Sequence, residues 1–258
     1  MCEPGWHGTL PDVTQATYAQ DGYDIRLEWG AEGVDVLAPE CGVLVIVDVL
    51  SFSTAVDIAV ARGARILPLP WRDERAAAAA RAAGALLGGE TSWSLRPSSL
   101  LDITAGTLLA LPSPNGATLC ARATAAGTRV LAGCLRNARS VATRALTVAG
   151  GRPVGVIAAG ERWAVDGRPL RPSVEDHLGA GAIVAALRVL DGGVPSPEAA
   201  LAAAAALATD DLPTAVAECS SGRELIGWDR PRDVVLAGEL DVSTAAPVLV
   251  DGVLVDVS

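Results

Sequence analysis

The chain has 258 residues, 50% of them hydrophobic and 19% charged, with a formal net charge of −10 and no lysine. So much apolar material supports a sizeable core and excludes a disordered chain. An acidic surface without lysine excludes general nucleic-acid binding.

Aromatic residues make up only 3%, so Ala, Val and Leu must fill the interior. All 20 basic residues are arginines, whose planar fork suits bidentate recognition of carboxylate, phosphate or sulfonate. Cys2, Cys41, Cys120, Cys134 and Cys219 are scattered, with no zinc-knuckle or redox spacing, so reduced thiols are expected. No apolar run approaches the roughly 20 residues of a membrane span. No basic segment followed by an apolar run marks a signal peptide, and the expectation is a cytoplasmic protein.

In chain order, residues 1–40 are polar and punctuated by Gly and Pro, with a strand pattern at 23–29. Strands at 42–47 and 64–69 flank a helix at 54–62, and Gly63 sits where a helix C-cap wants it. An Ala/Arg-rich helix covers 71–85, its N-terminal turn favoured by Asp73 and Glu74. Strands follow at 107–111, 128–132 and 153–158, each leading through a polar turn towards a helix or loop. Helices are predicted from near Ala117, over 138–149 and from near Val174, where Ser173 and Asp176 have capping-box spacing. Further helices are expected at 197–208, 214–219 and 223–227. The tail, VVLAGEL and then PVLVDGVLVDV, reads as closing strands with an Asp251-Gly252 hairpin turn. Short apolar strands alternating with helices predict a three-layer α/β/α fold around a mainly parallel sheet, one domain across residues 1–258.

Polar residues recur where these strands end: Asp48 with Ser53 and Thr54, Gly89-Glu90, Asn115-Gly116, Arg136-Asn137, Glu161-Arg162, and Glu175-Asp176-His177 at a helix start. Open parallel sheets bind ligands outside the carboxyl ends of their strands, where helix N-termini favour anions. Singly, each turn has a structural reading: Asp48 as a strand-end cap, Ser53 and Thr54 as N-caps, Asn115-Gly116 as a turn dipeptide, Glu175 and Asp176 as helix-dipole acids, His177 as a surface residue. Together they predict one site. Converging acids need a counter-charge, and a hard divalent cation, Mg²⁺ beside phosphate, supplies it. Two histidines, His7 and His177, are too few for a His-rich zinc site. The Asp-x-Asp phosphatase loop, the Gly-x-Ser-x-Gly elbow and the Walker loop are all absent. GAGAIV at 179–184 lacks the third glycine of a dinucleotide fingerprint.

The ordered set VIVDVLSFSTA, GGETSW, SPNGATL, AGCLRNA, IAAGE, SVEDHLGAG and SSGRELIGW, spanning residue 45 to about 228, resembles the 2-phosphosulfolactate phosphatase family. The resemblance implies Mg²⁺-dependent hydrolysis of 2-phospho-3-sulfolactate to 3-sulfolactate and phosphate, a step of coenzyme M biosynthesis. Carried over by position, it implies Asp48, Glu90 and Glu161 as metal ligands and Asp48, Glu161 and Asp176 as catalytic residues. Ser53, Thr54, Asn115, Gly116, Asn137 and Arg162 would bind substrate, with Arg136 or Arg171 as further partners for carboxylate or sulfonate. The expected partner is a small anionic phosphate ester, not nucleic acid or membrane, and the Ala-rich helices offer a homo-oligomer surface. The sequence departs from the family's usual pattern at Ser51 (arginine), Ala55 and Ala117 (threonine), and Ser98-Ser99-Leu100 (Asn-Ser-Pro). Two other readings stay open: a non-catalytic anion-binding member of the same fold, and a nucleotide-binding α/β transferase.

Overall fold

The computed structural model describes residues 17–257; Cys2 and His7 lie outside them. The sheet is built on β2 (Val43–Val47), a run of five apolar residues buried on both faces. Its alternation divides the interior. Val43, Val45 and Val47 pack into one apolar cluster, and Leu44 and Ile46 into another on the opposite face. A strand alternates its side chains with period two, so a fully apolar run demands cover on both sides. This is why the fold has three layers.

β2 pairs in parallel with β6 (Arg129–Gly133) and β7 (Val154–Ala158), and β7 with β1 (Ile25–Trp29). A second parallel group joins β3 (Arg65–Leu69), β5 (Leu108–Pro112) and the short β4 (Leu86–Leu87). The hairpin β10 (Pro247–Val250) and β11 (Val253–Asp256) lies between the two groups, antiparallel to β6 on one side and to β3 on the other. Its turn puts Asp251 and Gly252 at φ 50° and 81°, the backbone that two-residue hairpins select. The nine strands run β1-β7-β2-β6-β10-β11-β3-β5-β4. Three successive antiparallel pairings connect the two parallel groups, and the turns after β2 and β5 still meet, Gly116 donating to Asp48.

Helices α1 (Gly30–Leu37), α2 (Phe52–Val60) and α4 (Gly116–Ala125) supply the second cluster. Those of the first are α5 (Ala138–Ala149), α6 (Val174–Val189) and α7 (Pro197–Leu207). α3 (Glu74–Ala82) covers the β4 edge. Three short helices follow α7: α8 (Leu212–Glu218), α9 (Ser220–Gly227) and α10 (Pro231–Gly238). Every residue of α2 is buried; its polar members are answered inside the fold, Asp57 by Arg136 and the Ser53 and Thr54 hydroxyls by backbone carbonyls. No single helix among the described residues is long and apolar enough to cross a membrane.

The α/β architecture, the mainly parallel sheet and the C-terminal hairpin agree with the sequence reading, and three local expectations do not. Gly30–Leu37 is helical, in a stretch where the sequence reading named no helix. Val234–Gly238, expected as a strand, belongs to α10, which Pro231 opens and whose first turn holds Asp233; proline at the first helical position is a start signal that a short apolar run concealed. Ser53 and Thr54 lie inside α2, and the N-cap position falls on Ser51, whose side chain caps nothing.

Candidate active site

Asp48 follows β2 directly, and the hydroxyls beyond it build its turn. Ser53 Oγ donates to the Ile46 carbonyl at 3.0 Å and accepts the Asp48 N–H at 3.1 Å. The Ser53 N–H donates to the Asp48 carbonyl at 2.8 Å, and Thr54 Oγ1 to the Val49 carbonyl at 2.7 Å. Both side chains are fully buried, so Ser53 and Thr54 hold the site together and do not meet a substrate, a correction to the sequence reading. The Asp48 carboxylate accepts the N–H of Phe52 at 3.2 Å and that of Gly116 at 2.9 Å. Gly116 is therefore not a phosphate donor either, because its N–H is committed to Asp48. A Cβ there would stand 2.2 Å from the Phe52 ring, so only glycine lets the β5–α4 turn come this close.

Asp176 is the second buried acid. It accepts the Val49 N–H at 2.7 Å, the Gly160 N–H at 2.8 Å and the Ser173 hydroxyl at 2.9 Å. Ser173 thus donates to the acid and does not cap α6. Three donors from three segments make Asp176 a fastener between the ends of β2 and β7 and the start of α6. It does not line the cavity, so the general acid or base role expected of it is not supported by its position. Beside it, Glu175 is buried and accepts the Cys219 thiol at 3.1 Å. His177, half-buried, stacks on Trp29 at 5.8 Å.

Glu161 differs. It begins the arm formed by β8 (Glu161–Arg162) and β9 (Leu170–Arg171). Gly160, at φ 65°, turns the chain out of β7. Glu161 is half-buried, and Oε2 accepts the Asn115 amide at 3.1 Å. Asp48, Asn115 and Glu161 line one cavity of about 320 Å³, together with Arg72, Arg162, Arg168 and Arg230. None of these four guanidinium groups forms an ion pair among the described residues.

The site acids resist ionisation. Burial pushes Asp48 up to about 6, with the charge of Glu175 adding to it and the Phe52 and Gly116 N–H groups opposing. Burial, then the charges of Asp48 and Glu175, push Glu161 up to about 7. The same three causes raise Asp176. Close carboxylates short of counter-charge behave this way.

The remaining predicted residues go elsewhere. Glu90 is exposed and lines a separate, neighbouring cavity. It shares no wall with Asp48 and Glu161, which removes it from their metal site. Asn137 is fully buried: its Oδ1 accepts the Cys134 N–H at 2.9 Å. Arg136 pairs with buried Asp57 at 2.9 Å and also with Glu239. Arg171 donates to Ser221 at 3.1 Å and lies over Trp163. Motif reading missed Arg72, Arg168 and Arg230. Arg230 lies just beyond the SSGRELIGW stretch, whose Ser221, Glu224 and Trp228 also face the cavity; Arg72 had no motif to mark it.

Among the described residues, no group of three or more His, Cys, Asp or Glu side chains is arranged to hold a metal ion. Mg²⁺ does not require one: it is ordinarily held by one or two carboxylates with water and substrate phosphate. Asp48 and Glu161, two carboxylates lining one cavity, fit that description.

Fold and cavity together define an α/β protein whose polar cavity, lined by arginines and acids, sits where its parallel strands end. A family model for 2-phosphosulpholactate phosphatase matches residues 35–252, which include every cavity residue named above. The chain belongs to that family, one of phosphoric monoester hydrolases. Comparison with curated proteins finds no match.

Proposed function

We propose that the chain hydrolyses the phosphate ester of a small 2-hydroxy acid, 2-phospho-3-sulfolactate or a close relative, with Mg²⁺ as cofactor. The observation that carries this reading is the shared cavity: two raised acids, Asp48 and Glu161, line it with four arginines that have no carboxylate partner among the described residues. Phosphoryl transfer through a loose transition state needs charge neutralisation and alignment more than covalent chemistry. Arginines around the cavity take the phosphate and the acid's other anionic groups. Arg162 and Arg168, carried on the β8–β9 arm and its loop, would take carboxylate or sulfonate. Asp48 and Glu161 would hold Mg²⁺, and Asn115 keeps Glu161 directed at it. When bound, Mg²⁺ neutralises phosphate charge and makes its water a better nucleophile. The Phe52 and Gly116 N–H groups fix the Asp48 carboxylate in place, so the site is pre-organised. A place in coenzyme M biosynthesis, in the cytoplasm, completes the reading.

The test is a phosphate-release screen over 2-hydroxy-acid phosphate esters, with Mg²⁺ and with chelator. Turnover of the sulfolactate ester, or a near analogue, only with the cation is expected. Binding of phosphate without any turnover would leave an anion-binding protein and sink the hydrolase reading.

A further inference from the structure

Arg72 lines two cavities at once. The first holds Asp48 and Glu161. The second, of about 630 Å³, is bordered by Leu87, Glu90 and Arg96. Arg72, Leu95 and Arg230 belong to both walls, so they stand at the mouth between them.

The three other arginines of the first cavity are placed differently. Arg162 and Arg168 ride on the β8–β9 arm and its loop. Arg230 lies over the Trp228 ring at 5.7 Å. Arg72 comes from the other group of strands, between β3 and α3, and lines the same cavity as the acids delivered by β2 and β7. Its side chain is exposed and enters no ion pair among the described residues. It nevertheless lines the same cavity as Asp48 and Glu161. A cation in the acids' own cavity, bound to no carboxylate, is free to take an anion that enters there. A guanidinium can grip two phosphoryl oxygens side by side.

We propose that Arg72 is the phosphate clamp of the site, holding the phosphoryl group in the cavity that Asp48 and Glu161 line. It touches substrate and moves no proton. This rests on the phosphatase reading above and adds to it the residue that binds the phosphate.

The experiment compares the parent with Arg72→Ala, Arg72→Gln, Arg72→Lys and, as a surface control, Arg188→Ala. Inorganic phosphate binding is measured by calorimetry with Mg²⁺ present, beside ester hydrolysis. Phosphate affinity should fall about 10-fold or more in the Ala and Gln variants, as expected on losing a charge-assisted bidentate contact. Lysine should restore part of it, and the control should match the parent. If the parent binds phosphate and the Ala and Gln variants bind it equally well, the clamp is wrong, whatever the turnover. If the parent hydrolyses no ester yet its phosphate binding needs Arg72, the hydrolase reading falls and the clamp stands. A parent that binds no phosphate overturns both.

Discussion

The turns after β2 and β6 begin side by side, since Val47 pairs with Gly133 in register. Both carry polar residues at the same edge of the sheet, yet the first opens on the cavity and the second is sealed. The difference is cover. Over the β6 turn lies the chain at and beyond α10: Arg136 donates to the Leu236 carbonyl at 3.1 Å, and the N–H groups of Asp241 and Ser243 donate to the Leu135 and Arg136 carbonyls at 3.1 and 2.9 Å. Arg136 is thereby drawn inward to neutralise buried Asp57. Over the β2 turn, backbone N–H groups satisfy Asp48 from beneath, and its open side meets arginines that are free. A strand-end acid or arginine becomes a site residue only where nothing in the fold has already answered its charge.

The largest way to break this contrast is Arg136→Ala. It leaves Asp57 buried without its cation, and removal of one partner of a buried pair costs about 3–5 kcal/mol. Urea unfolding should show that loss, while the folded fraction keeps its turnover. Turnover lost in proportion beyond unfolding would place Arg136 back in the site.

Asp48→Asn works the other way. The isosteric amide cannot serve as an anionic ligand, so hydrolysis should fall roughly 10²–10³-fold, the several kcal/mol that metal-assisted charge stabilisation supplies. Steady-state assays at saturating Mg²⁺, beside a melting curve that stays close to the parent's, check this. Equal rates would end the role of Asp48.

The smallest effect lies in the pH dependence of stability. Asp48 and Glu161 have folded pKa values near 6 and 7, above the ordinary carboxylate value of about 4. The folded state therefore binds more protons than the unfolded one across that interval, and stability falls as pH rises from about 4 to about 7. Melting of the parent should show the fall, Asp48→Asn should reduce it, and added Mg²⁺ should stabilise more at pH 8 than at pH 5. A slope unaffected by the substitution would mean that Asp48 is not held protonated by its surroundings.

The fold was legible because its signals are local. Val43–Val47 is an unbroken apolar run, Asp251-Gly252 has one favoured turn, and Gly63 follows its helix. What escaped depends on partners far along the chain. Nothing near Asn137 shows that α10 will cover its turn, and the apolar residues 234–236 suit a strand as readily as a helix until Pro231 is given weight. In the site, Asp48 and Glu161 were readable as acids at strand ends. Glu90 has the same local pattern as Glu161, a glycine before it and an apolar strand before that, but β4 lies at the far edge of the sheet from β7. Ser53 and Thr54 looked like ligands because hydroxyls serve turns and phosphates alike. Arg72 was invisible because a lone arginine after a strand carries no pattern; only the folded chain sets it in one cavity with Asp48.

The β10–β11 hairpin stands at the centre of the sheet although it follows every other strand of that sheet in the chain. β6 and β3 touch no strand of the opposite group directly; they are joined through single bridging pairs, Val248 with Leu131 and Leu254 with Ile66. The hairpin is thus a keystone set last: as the chain is synthesised, each parallel group can assemble early, but the two cannot be locked edge to edge until residues 247–256 have emerged.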